Sequence, residues 1–286
     1  MNSPGHISTP SDKRRSVDPK QLIKVIVYGL LLVNWALYFA DDWRIAQHTL
    51  RNGGSFLEWT AAFATSIDEL AWFALLFVFE LETYQLSDDS FTRSRVALLH
   101  GIRMICYVFL AHTLFAFAGI ATDLNEVPLV ENADNLCALA EQDLSYANNL
   151  EYTEITPLSC SSLSHADRFY FIDDDLVVTD TAGLGIEREL AWVDLAEASV
   201  WLVILFFIEV MVRLQNRGVT RGPLMQCARF GKISLYVSLW AAAAYWIYRG
   251  HWMFAWDEAL WILGFMAIGM NLSEWKKEIE DEQTAS

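Results

Sequence analysis

A chain of 286 residues with 54% hydrophobic and 14% aromatic residues exceeds the roughly 45–50% apolar content of soluble domains, and the excess falls in runs of about twenty residues, enough to cross ~30 Å of hydrocarbon. This disfavours a soluble single-core domain. The net charge of −16 disfavours nucleic acid as a partner, and it is local: between Asp123 and Asp180 thirteen Asp or Glu stand against Arg168 alone, so 1 − 13 = −12 of the total lies there.

Residues 1–20 are polar and basic and read as a disordered cytoplasmic tail. Apolar runs follow at 21–40, 56–83 and 97–120, then at 188–212, 228–248 and 252–272. Lipid leaves backbone groups no partner outside helices and closed barrels, and no ten-residue alternation is present. The fold class expected is therefore an all-α membrane protein with six transmembrane helices, helices 1–3 over 21–121 and helices 4–6 over 188–273.

Between the halves lies an acidic extracytoplasmic segment, 122–187, and a cytoplasmic tail closes the chain at 274–286. Lys and Arg concentrate in the N-terminal tail, the 2–3 and 4–5 connections and the C-terminal side, which by the positive-inside rule places both termini in the cytoplasm. The outer segment lacks a glycosylation sequon, which suits a bacterial inner membrane. Outside, Cys137 and Cys160 form a candidate disulfide. The run "RFYFIDDDLVVTD" at 168–180 predicts a β-hairpin turning at its three aspartates. Those aspartates lack the spacing of a calcium loop, no Cys/His spacing indicates a metal, and no cofactor is expected.

An internal pattern recurs. Helices 2, 4 and 6 each carry an acid four residues before Trp: Asp68–Trp72, Glu197–Trp201 and Asp257–Trp261. Helices 1, 3 and 5 each carry a base, then Tyr, then Leu: Lys24–Tyr28–Leu31, Arg103–Tyr107–Leu110 and Lys232–Tyr236–Leu239. The segments 68–110 and 197–239 align without a gap, since Glu80 follows Asp68 as Glu209 follows Glu197. The suggested unit is a helical hairpin used three times, with the acidic segment inserted in the second. Membrane constraints alone also favour basic and aromatic residues at helix ends.

Acids within such helices are expensive and become functional candidates. Asp68, Glu69, Asp194, Glu197 and Asp257 are the candidate cation- or proton-binding residues, with His112 in helix 3 as a candidate relay partner. Glu58, Glu80, Glu82 and Glu209 are expected at the interfaces, solvated. No persuasive nucleophile–base pair is evident, and no catalytic residue is assigned.

The leading expectation is a non-enzymatic scaffold, sensor or assembly partner that offers its acidic outer segment to a protein. A cation- or proton-linked permease or channel is the alternative, and an intramembrane enzyme the second alternative. Convergence of Asp68, Glu197 and Asp257 on one water-accessible cavity would favour the permease.

Overall fold

A computed structural model describes residues 19–81, 92–173, 175–217, 219 and 222–266. The tails expected over 1–20 and 274–286 therefore lie outside the described residues, except for 19 and 20, and so do Glu82 and Asp174. The chain is mostly helical, with one small sheet. In order it runs α1 (Pro19–Thr49), α2 (Phe56–Ala62), α3 (Ala64–Glu80), α4 (Arg93–Asp123), β1 (Ser145–Asn148), β2 (Glu151–Glu154), α5 (Cys160–Leu163), β3 (Phe169–Asp173), β4 (Val177–Asp180), α6 (Thr181–Asn216) and α7 (Pro223–Arg249). A last helix, α8, covers residues 252–266.

Three of these helices, α1, α4 and α6, are long and apolar enough to cross a membrane. The chain is thus a membrane protein in its composition and its helices. The bent pair α2 and α3 makes a fourth crossing if counted as one. Helix α7 spans 27 residues, but Lys232, its serines and its Tyr and Trp residues dilute its hydropathy. Helix α8 has only residues 252–266 in view.

The bundle has an apolar core, but it also encloses acids and presents apolar side chains on its perimeter. Asn34, Asp42, Glu69 and Glu258 are buried, whereas Val25, Val108, Phe115 and Phe206 face outward. So many large apolar side chains on the perimeter suit contact with lipid or another apolar surface. Helices α1, α4 and α7 start at the end holding Lys24, Arg103 and Lys232 and finish near the sheet; α3, α6 and α8 return. Leu31, Leu110 and Leu239, the leucines of the base–Tyr–Leu pattern, are each at most 2% exposed and join one core with Trp72, Trp201 and Trp261.

The expected single run over 56–83 is broken instead. Helices α2 and α3 meet at 71°, with Phe63 at φ −105°, ψ 22° between them. Ser55 starts α2 with a capping box: its hydroxyl accepts from the Glu58 N–H and its own N–H donates to Glu58 Oε2 at 2.6 Å.

The insertion folds over the far ends of α1 and α7. Its strands are ordered β2-β1-β4-β3, antiparallel except for the central β1/β4 pair. The β3/β4 hairpin is the one expected from the sequence: Phe169 pairs with Asp180, and Asp175 takes φ 58° in the turn. Cys137 and Cys160 are disulfide-bonded, tying the 3-10 turn Leu136–Leu139 to α5 beneath a core of Leu136, Leu139, Tyr146 and Phe169.

The β1/β2 hairpin is additional. Its two-residue turn holds Asn149 at φ 57° and Leu150 at φ 60°, a conformation that costs a leucine about 1–2 kcal/mol. Contacts fix it: the Leu150 N–H donates to Glu187 Oε1 at 3.0 Å and Asn149 Nδ2 donates to the Arg249 carbonyl at 3.1 Å. Arg51 anchors the neighbouring edge, donating to the Asp143 carbonyl at 2.8 Å and to Ser145 Oγ at 2.7 Å.

Candidate functional site: an acid-lined cavity

A cavity of about 420 Å³ opens below the sheet and descends between α1, α3, α6 and α8. From Glu187 to Trp201 it follows α6 for fourteen residues, about 21 Å. Twelve carboxylate residues line it, with no Lys, Arg or His among the lining residues. Asp41, Glu58, Asp123 and Asp173 belong to its sheet end, Glu187 and Asp194 lie farther down α6, Asp42 accepts from the Ser66 N–H and hydroxyl, and Asp68, Glu69, Glu197, Asp257 and Glu258 surround the deep part. Leu150, Tyr152 and Ile172 reach it from the sheet.

The three acid–Trp pairs meet there. Trp72 lies 5.9 Å from Trp201, and Phe265 contacts Trp72, Trp201 and Trp261 at 5.5, 5.1 and 6.3 Å between ring centroids. The indoles then reach around the ring. Trp201 Nε1 on α6 donates to Glu258 Oε2 on α8 at 3.2 Å, and Trp261 Nε1 on α8 donates to Glu69 Oε1 on α3 at 2.8 Å. Each acceptor is the residue after its helix's repeat acid. Ala198 occupies that position on α6, so Trp72 has no corresponding carboxylate and lies within hydrogen-bonding reach of its own Asp68.

Helices α1, α4 and α7 hold the repeat acids from behind. Asn34 Nδ2 donates to Asp257 Oδ1, Thr113 lies within hydrogen-bonding reach of Asp68, and Trp246 Nε1 donates to Glu197 Oε2 at 2.8 Å. Asn34 and Thr113 each stand ten residues beyond the repeat base of their helix. Trp246 comes one turn later.

Glu69 and Glu258 are 5% and 1% exposed. Glu69 Oε2 and Glu258 Oε1 meet no hydrogen-bond donor. The Asp257 carboxyl lies within reach of Glu69, and that of Glu197 within reach of Glu258. These are contacts between acceptors, and two such groups require a shared proton or a cation.

At the opposite end each acid is neutralised. Lys24 Nζ donates to Glu80 Oε1 at 2.9 Å and Tyr28 OH to Glu80 Oε2 at 3.3 Å. Arg103 lies 3.5 Å from Glu209 Oε1, which also accepts from Tyr107 OH at 2.7 Å. The expectation that Glu80 is solvated is overturned: its side chain is about 10% exposed. Glu209 is likewise enclosed. The third repeat has Gly269 at the equivalent position, and no carboxylate among the described residues forms an ion pair with Lys232.

The structure therefore brings Asp68, Glu69, Asp194, Glu197 and Asp257 to one cavity. His112 is elsewhere: it is absent from the lining, and its Nε2 is buried without a hydrogen-bond partner. Sequence reasoning missed Glu258, Glu187 and Asn34. Glu258 carried a signal, since it follows Asp257 as Glu69 follows Asp68. Glu187 carried none, because the Leu150 N–H it accepts belongs to an unpredicted turn.

Among the described residues no group of three or more His, Cys, Asp or Glu is arranged to hold a metal ion. No family model matches the chain, and no curated protein or solved structure matches it.

Proposed function

We propose that this chain is a multi-pass transporter or channel-type membrane protein that takes a cation into the acid-lined cavity from the extracytoplasmic side. The observation that carries this reading is the convergence of Asp68, Glu197 and Asp257 on one cavity whose lining contains no base. A low-dielectric, single-sign cleft concentrates counter-ions. Proton linkage follows naturally, because a cation arriving at the Glu69/Asp257 or Glu197/Glu258 contacts displaces any proton shared there.

The accompanying topology has six crossings, formed by α1, α2/α3, α4, α6, α7 and α8, with both termini cytoplasmic and the sheet outside. The Cys137–Cys160 disulfide suits that face. Phe56 and Leu57, exposed on the short bent α2, suit a helix lying in the membrane interface. A bacterial inner membrane remains the proposed location.

The acidic sheet supports a second reading. Glu131, Glu141, Glu151 and Glu154 are exposed, and a basic protein partner at that face would make the chain a scaffold or sensor whose cavity regulates assembly.

Proteoliposomes test the first reading. Asp68→Asn and Glu197→Gln should each abolish cation- or proton-driven flux while the protein still purifies as a folded species. Flux unchanged in both variants, or absent from the parent under every cation and pH gradient, removes the transport proposal. For the second, deletion of 130–180 should release any co-purifying partner; retention of every partner refutes it.

A further inference from the structure

We infer that the ligand of this cavity is an extended organic ammonium ion of the oligoamine class, with N–H donors on more than one nitrogen. The inference rests on the cation reading above and narrows it to a chemistry.

Size is the first argument. A cavity of about 420 Å³ falls in the range of organic-ligand sites, and a bare metal ion would leave nearly all of it empty. Coordination is the second. Calcium needs six to eight oxygens converging on a point, yet no cluster of three candidate ligands exists among the described residues. The carboxylates are distributed along the cavity instead. Glu187 and Glu197 are ten residues apart on α6, about 15 Å, which suits several charges carried on a chain.

The buried acceptors give the third argument. Glu69 and Glu258 are each held by an indole N–H on one oxygen, leaving Glu69 Oε2 and Glu258 Oε1 without donors. Leaving a buried acceptor unsatisfied is costly, and an ammonium group entering between Glu69 and Asp257 or between Glu258 and Glu197 supplies an N–H in place of the proton such a pair would otherwise share. The deep lining is the fourth. Trp72, Trp201, Trp261 and Phe265 form an aromatic end to the cavity, and rings of this kind attract ammonium ions while accommodating methylenes. A strongly hydrated Mg²⁺ would have to surrender water to apolar surface for no such return.

Isothermal titration of the full-length protein in nanodiscs, at constant ionic strength, tests this with spermidine, tetramethylammonium, Na⁺, Ca²⁺ and Mg²⁺. Spermidine should bind saturably, and tetramethylammonium, which has charge but no N–H, at least tenfold more weakly. The Glu69→Gln/Glu258→Gln double variant should weaken spermidine at least tenfold. If that variant does not fold, competition on the parent decides: excess spermidine must displace any other cation that binds.

Saturable Na⁺, Ca²⁺ or Mg²⁺ binding that spermidine does not displace overturns the oligoamine assignment and leaves the cation reading standing. Equal affinity for tetramethylammonium overturns the role of the N–H donors. An unaltered affinity in a folded double variant overturns the assignment of Glu69 and Glu258. Absence of binding by every cation, with no flux in proteoliposomes, overturns both proposals.

Discussion

The two ends of this bundle treat the same kind of residue in opposite ways. Near the sheet, Asp68, Glu197 and Asp257 are acids held by neutral donors around a space without bases. Twelve residues farther along α3 and α6, Glu80 and Glu209 are held by Lys24 and Arg103, each with a tyrosine as second donor. One repeated pattern thus supplies a cavity with acids and no bases at one end and charge-balanced clasps at the other. The acids of this bundle consequently divide by the identity of their partner: neutral donors position those at the cavity, and a base with a tyrosine holds those in the clasps.

Substituting each class separates them. The largest effect is expected at the clasps: Glu80→Gln and Glu209→Gln leave buried bases without their counter-charge and should cost about 3–5 kcal/mol each, seen as a lower melting temperature in detergent. Glu197→Gln keeps an acceptor for Trp246 and removes a like charge, so its melting temperature should stay level or rise. Equal losses at Glu80 and Glu197 would erase the distinction.

A smaller effect, confined to the sheet, is expected from replacing Cys137 and Cys160 with Ser. It should cost about 2–4 kcal/mol through loss of a closed loop, read as proteolysis of the insertion with the helical bundle still resistant.

Next comes Asp180, which ends β4 and caps α6. Its Oδ1 accepts from the Ala182 and Gly183 N–H groups at 3.0 and 2.8 Å, and its Oδ2 from Tyr146 OH at 2.8 Å and from Ser164. Burial pushes this carboxyl up, but the hydrogen bonds from Gly183, Ser164, Tyr146 and Ala182 outweigh burial and hold it below the usual carboxylate range. A depressed folded pKa gives stability that is complete above the unfolded value near 3.9 and fades as pH falls through the folded value. Acid melts of the insertion should show this loss in the parent and not in Asp180→Asn, which at neutral pH should be weaker by about 0.5–2 kcal/mol.

The smallest effect belongs to the third repeat. Lys232→Met should change stability by less than about 1 kcal/mol, whereas Lys24→Met, which removes the ammonium partner of Glu80, should cost more and approach the loss of Glu80→Gln. A large loss for Lys232→Met would mean that the third clasp exists after all.

Much of this arrangement was legible along the chain, for physical reasons that differ by element. Runs such as 21–40 announce helices because lipid demands length and apolarity together. The acid–Trp spacing located the cavity residues because four residues is one helical turn, so acid and indole share a face. The β3/β4 hairpin was visible in its β-prone flanks, whereas β1 and β2, with "SYAN" and "EYTE", are too short and polar to stand out. The break at Phe63 was hidden because neither Pro nor Gly marks it. Solvation of Glu80 was misjudged because its neutralising Lys24 lies 56 positions away, and sequence spacing carries no information about such a distance. His112 is absent from the cavity lining, although its neighbour Thr113 reaches Asp68.

The junction at Asp180–Thr181 has a mechanical consequence. Strand β4 ends and the 36-residue α6 begins without an intervening residue, and Asp180 bonds both elements at that point. Asp180 bonds Tyr146 of the neighbouring strand and the first turn of α6, so sheet and helix are tied where they join, and the helix runs about 54 Å onward from there. Glu187 under the sheet, Glu197 in the cavity and Glu209 in the clasp thus share one uninterrupted helix, which makes the three sites parts of a single covalent element.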